Sequence, residues 1–129
     1  MLKIKKDFIV TVEADIKMLK HNTHPNKEGL EVKLWDEDLF VDDFIGSTTM
    51  NDQGHVVFQF PLFERIRSWD SPFEIRPDLY IVVEKDGEEI YKSKVKRNIN
   101  FHIGEDADPS VFKPSIHLGV YEIPDNMLS

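Results

Sequence analysis

The sequence predicts an all-β fold, a two-sheet antiparallel β-sandwich of about seven to eight strands in a single domain over residues 1–129. Three observations carry this expectation. Apolar residues recur at every second position in segment after segment, as strands with one dry and one wet face require. Turn sequences, Asn51-Asp52-Gln53-Gly54 and Asp86-Gly87, separate those segments. Helical spacing is confined to one short stretch. Each such sheet has one face to bury, and stacking two sheets is the simplest solution.

The first strand places Phe8, Val10, Val12, Ala14, Ile16 and Met18 on one face, with Asp7, Thr11, Glu13, Asp15 and Lys17 opposite. A polar loop over 21–29 follows. Leu30, Val32 and Leu34 resume the alternation, and a third strand is expected over about 44–50. The glycine of 51–54 suits a turn at positive φ, after which Val56, Phe58 and Phe60 share a face. Residues 61–69 space Leu62, Phe63, Ile66 and Trp69 as a helical turn does, between Pro61 and Pro72, and are expected to cap the core. Leu79, Ile81 and Val83 run into Asp86-Gly87, the strongest hairpin signal in the chain. A further strand is expected over 98–103. Residues 104–114 form a loop, and Ile116, Leu118 and Val120 make a closing strand, with Leu118 and Val120 in the core.

Composition narrows the function classes. The net charge is −8, which disfavours nucleic-acid binding through a phosphate backbone. Cysteine is absent, so disulfide and thiol chemistry are excluded. The basic opening "MLKIKKDFIVTVEAD" resembles a signal peptide in charge, but its apolar run alternates and is interrupted by Thr11, Glu13 and Asp15. It is read as a strand, and a cytoplasmic location is slightly favoured.

Residues 30–96 and the closing "IHLGV" resemble the transthyretin-like (prealbumin-like) sandwiches, including the carboxypeptidase-regulatory-type modules. The likeness lies in an order of features. "LEVKLWDED" enters an acidic loop, "DDFIGSTTM" follows as a Gly-containing strand, and "NDQGHVVFQF" is similar to the family's T-D-x-x-G turn and strand. "RPDLYIVVEKDGEEIYKS" is similar to the succeeding strand-hairpin-strand. The resemblance implies a non-enzymatic binding module with a protein partner and no cofactor, and a weak homodimer through an edge strand. The fold also hosts a hydrolase of 5-hydroxyisourate that uses two His, an Arg and a Tyr-Arg-Gly-Ser ending. Here His55, His102 and Arg76 supply matching residue types, while the chain ends "YEIPDNMLS".

Asp36, Glu37, Asp38, Asp42 and Asp43 crowd into eight positions. "LWDEDLFVDDFIGS" is similar to a calcium loop of the calcium-dependent phospholipid-binding sandwiches of protein kinase C and synaptotagmin. On that resemblance Asp36, Asp38 and Asp43 are the Ca²⁺ ligands and a membrane surface is the partner. A hard cation wants six to eight oxygens, and the neighbouring loop 21–29 offers only Glu28 among carboxylates, with Glu105, Asp106 and Asp108 as a reserve. The expectation is therefore a solvated corner, with membrane binding disfavoured. His21 and His24 form an H-x-x-H in a loop beside Pro25, without a clear third ligand. Trp35, Trp69 and Tyr80 are the residues of an interaction surface, if they are exposed, and Tyr91 and Tyr121 are further aromatic candidates. Burial under 61–73 is the favoured alternative. Glu13 and Asp15 are read as a solvated strand face.

Overall fold

The computed structural model describes residues 7–18, 29–66 and 71–124. Among these residues seven strands form two sheets. They are β1 (Ile9–Met18), β2 (Leu30–Asp36), β3 (Asp43–Thr48), β4 (His55–Pro61), β5 (Leu79–Lys85), β6 (Glu88–Lys92) and β7 (Ser115–Ile123). One sheet has the order β4-β1-β7 and the other β3-β2-β5-β6. The only helical elements among the described residues are α1 (Leu62–Arg65) and a 3-10 turn at Pro72–Glu74.

Alternation decides the core. Val10, Val12, Ala14 and Ile16 of β1, Val32 and Leu34 of β2, and Leu79, Ile81 and Val83 of β5 are fully buried between the sheets, with Phe58 and Phe60 of β4 beside them. The segment after Pro61 does cap this core, through buried Leu62 and Ile66. Trp69 lies outside the described residues, as do His21 and His24. Asp86 and Gly87 both take positive φ, 52° and 86°, as the two-residue turn between β5 and β6 demands. The amide of Asp86 donates to the carbonyl of Gly29 at 2.9 Å, which pins this hairpin to the start of β2.

The architecture is the expected all-β sandwich of two antiparallel-rich sheets, with one parallel pair, β1 with β7. Two expectations need correction. Residues 98–103 are not a strand. Phe101 and Ile103 are buried, but Asn98 and His102 take φ of 57°. The backbone turns at both, so the alternation reflects packing and not pairing. Finally, Val120 is 52% exposed. Glu13 pairs with His117 and Asp15 with Val120, so β7 carries one more residue than β1 across this step. Gly119, at φ 137°, occupies this bulge. The extra residue reverses the alternation, and Tyr121 and Ile123 enter the core in place of Val120.

These placements give two stability expectations, both read by urea denaturation. Phe58→Ala should cost about 3–5 kcal/mol by opening a cavity, whereas Val120→Ala should change stability by no more than about 0.5 kcal/mol. Gly87→Val should destabilise by about 1–2 kcal/mol, because a β-branched side chain is strained at positive φ.

Candidate functional site

Two clusters of functional side chains stand on this frame, one on each sheet. The first is the corner between β2 and β3. Asp36 ends β2 and pairs with Asp43 at the start of β3, leaving a six-residue connection, 37–42. Its polar groups are hydrogen-bonded to one another and to neighbouring residues. The Asp38 amide donates to Asp42 Oδ1 at 3.1 Å, and the Leu39 amide donates to Asp38 Oδ1 at 2.6 Å. The Tyr80 hydroxyl donates to Asp42 Oδ2. Arg97 donates to Glu37 Oε1 at 2.8 Å, and the Asp78 amide donates to Asp36 Oδ1 at 3.1 Å. With the polar groups fastened at the base, the tip is apolar: Leu39, Phe40 and Val41 are 85%, 90% and 76% exposed. Beside it lies a cleft of about 480 Å³ lined by Trp35, Val41, Asp42, Asp43, Phe44, Glu64 and Arg65. Trp35 and Phe44 meet edge to face there, with centroids 5.2 Å apart.

The electrostatics of the corner follow from these contacts. Hydrogen bonds from Tyr80 and from the Asp38 amide hold Asp42 below the usual carboxylate range. Burial, reinforced by Asp42, pushes the Tyr80 phenol well above its ordinary value. Asp36 is 9% exposed. Burial raises its pKa to about 6 against the hydrogen bond from Asp78, with Asp43, Asp78 and Asp38 adding repulsion.

The second cluster lies on the outer face of the β4-β1-β7 sheet. Asp15 of β1 pairs directly with His55 of β4. Its Oδ1 lies 2.8 Å from His55 Nδ1 and its Oδ2 2.8 Å from His117 Nε2 on β7. Glu13 Oε1 is 3.1 Å from the other nitrogen of His55, Nε2. The two imidazoles are nearly parallel, 21° apart in plane, with centroids at 6.3 Å. Asn51 fixes the entry to β4, its Oδ1 accepting from the amides of Gln53 and His55 at 2.9 Å each. Hydrogen bonds to Asp15 and Glu13 raise the pKa of His55 against a smaller opposing effect of burial. Asp15 is lowered: burial opposes ionisation, but the bonds and charges of His55 and His117 outweigh it.

The sequence-predicted residues divide between these places. Asp36, Asp38 and Asp43 share the corner. Among the described residues, however, they do not form a group with oxygens within 4.8 Å of one another, whereas Asp15, His55 and His117 do. Trp35 is half-buried at the cleft, and Tyr80, a candidate for the interaction surface, is 5% exposed beneath Asp42 and Lys92. His55 faces Asp15 and Glu13, while Arg76 donates to the carbonyls of Phe73 and Ile75. The candidate hydrolytic trio of His55, His102 and Arg76 is thus engaged elsewhere at two of its members. The His55–His117 cluster escaped the sequence because its members are 62 positions apart, the difference of their numbers. The exposed tip also escaped the sequence reading, although "DLFVDD", three apolar residues between carboxylates, carried a signal for it.

Fold and site together define a small all-β sandwich with an acidic, apolar-tipped corner and a histidine–carboxylate cluster on its outer face. No family model matches the chain and no curated protein matches it. A solved structure, a 9R-lipoxygenase from Cyanothece PCC8801, is similar at a TM-score of 0.51 and 16% identity, covering 95% of this chain and 18% of the lipoxygenase chain. At that identity the likeness is one of fold alone. No helix among the described residues is long and apolar enough to cross a membrane.

The raised pKa of Asp36 sets a pH dependence. The folded value of about 6 lies above that of the unfolded chain, so the contribution to stability is complete below about pH 4 and is lost as pH rises to about 6. Asp36→Asn keeps an acceptor for the Asp78 amide without the buried charge. It should be more stable than the parent at pH 7 by on the order of 1–2 kcal/mol and show no such gain at pH 4. Paired urea denaturations at the two pH values check this, and a loss of stability at pH 7 would contradict it.

Proposed function

We propose that this chain is a non-enzymatic binding module of the transthyretin-like type that engages a protein partner through the apolar tip 39–41. The observation that carries this reading is three consecutive apolar side chains held in solvent on a loop whose polar groups are bonded at its base. Burying each such side chain is worth about 1.5–3 kcal/mol, which a docking partner recovers. The carboxylates around the tip form a polar rim suited to an apolar socket with a basic margin. They repel a bare anionic bilayer. The two-sheet sandwich supports the transthyretin-like type, and edge strand β3, carrying half-exposed Phe44, suits a weak homodimer.

A cross-linkable residue in place of Phe40 should capture the partner in extracts of the source cells. Leu39→Ser/Phe40→Ser/Val41→Ser should weaken binding of the purified partner by about 30-fold or more, as loss of a hot spot does. Undiminished binding by this variant would overturn the reading. Light scattering at high concentration tests the homodimer.

A second reading, calcium-dependent phospholipid binding, is favoured by the placement of the apolar tip among Asp36, Asp38 and Asp43. On the protein-partner reading, calcium should leave the thermal midpoint and pelleting with phosphatidylserine vesicles unchanged at physiological salt. A tight site at hundredfold ligand excess would add about 2.7 kcal/mol, a rise of several degrees. Such a rise, lost in Asp38→Asn together with calcium-dependent pelleting, would establish the second reading instead.

A further inference from the structure

We propose that Asp15, His55 and His117 bind a divalent transition metal of the zinc class, with Glu13 positioning His55. Three adjacent strands deliver the donors: Asp15 from the central strand, His55 from one neighbour and His117 from the other. The bulge at Gly119 follows directly after His117 and Leu118, so the register that precedes it keeps His117 on the outer face with Asp15. One ligand atom from each of Asp15, His55 and His117 lies within 4.8 Å of the other two. A tetrahedral ion with bonds of about 2.0–2.1 Å needs donors about 3.3 Å apart, which side-chain rotation supplies. Two imidazoles and one carboxylate select zinc and its neighbours over calcium or magnesium, which want oxygen alone.

Glu13 gives the cluster the build of a metal centre. Metal-bound histidines hold the second ring N–H against a carboxylate or carbonyl, which fixes tautomer and ring orientation. Glu13 stands at that place, 3.1 Å from His55 Nε2, while Nδ1 faces Asp15. Both ring nitrogens of His55 lie against carboxylates, so an ion at Nδ1 competes with a proton there. The ion replaces the Nδ1 proton, which leaves to solvent, and takes the nitrogen lone pair. Binding therefore releases a proton and weakens in acid. Among the described residues of these three strands, the other charged groups on this face are Lys17 of β1 and Glu122 of β7, which are partners in the β1–β7 register. His117 is exposed, so the remaining coordination positions open to water.

The experiment is calorimetric titration of the untagged protein with Zn²⁺, repeated in buffers of different ionisation enthalpy, with Co²⁺ absorption as an optical probe. The expected result is one ion per chain, proton release, tetrahedral cobalt bands and weaker binding at about pH 5.5 than at pH 7.5. His55→Ala and His117→Ala should each abolish the bands. Glu13→Gln should weaken affinity by about 10–100-fold without changing stoichiometry. Unchanged thermal midpoints would show that these exposed-face variants fold. His21→Ala/His24→Ala should bind as the parent does. Absence of stoichiometric binding, survival of binding in His117→Ala, or its loss in the His21/His24 variant would each overturn the proposal.

Discussion

Strand β1 is the constraint on which the rest depends. It lies between β4 and β7, antiparallel to one and parallel to the other. Its inward residues Val10, Val12, Ala14 and Ile16 lose all exposure and floor the core against β2 and β5. A strand paired on both sides has no free backbone edge, so its register is held by two ladders together. A one-residue slip would turn its dry face outward and its carboxylates inward. The same alternation that buries Val12 and Ala14 therefore stations Glu13 and Asp15 on the outer face, where His55 and His117 meet them. Core and cluster are two consequences of one register.

Much of this fold was legible in the sequence, and particular residues show why. Leu30, Val32 and Leu34 are buried as their period-two spacing requires, and Asp86-Gly87 turns as its residue types require, because these signals are local. Val120 was misplaced because a bulge is a relation between two strands: nothing in "IHLGV" shows that β7 carries a residue more than β1. Residues 98–103 mimic a strand because Ile99, Phe101 and Ile103 pack at alternate positions, although the intervening backbone does not pair. The acidic run 36–43, expected to be a mostly solvated corner although Asp36 is buried, was legible as charged. Which carboxylates are bonded and which buried was not, since Tyr80, Asp78 and Arg97 come from distant parts of the chain.

The corner shows how like charges are kept together. Asp42 is held ionised by a phenol and an amide, Glu37 is bonded to Arg97, and Asp36 takes the opposite course to Asp42, with burial favouring its protonated form. Distributing the carboxylates among donors, a cation and a buried site limits their mutual repulsion. The apolar tip is the geometrical consequence. A six-residue connection closed by the bond from the Asp38 amide to the Asp42 carboxylate has Leu39, Phe40 and Val41 left at its apex.

The two sites stand apart in the sandwich. Glu64 and Arg65 of α1, which follows the end of β4, line the cleft beside the apolar tip. His55 begins β4, seven residues earlier than the first residue of α1. At about 3.3 Å per residue, the length of β4 separates the histidine cluster from that end by roughly 20 Å. The cluster rests on the wet face of one sheet, and the tip extends from a β2–β3 connection in the other, with the packed core between them. The bonds that hold the tip come from Asp78, Tyr80 and Arg97. Those that hold the cluster come from Asn51 and from β1 itself. The two sets share no residue. Occupation of one site can therefore reach the other only through the core, whose close packing resists small displacements. The frame thus lets the proposed docking tip and the proposed cation-binding face act independently in one small domain.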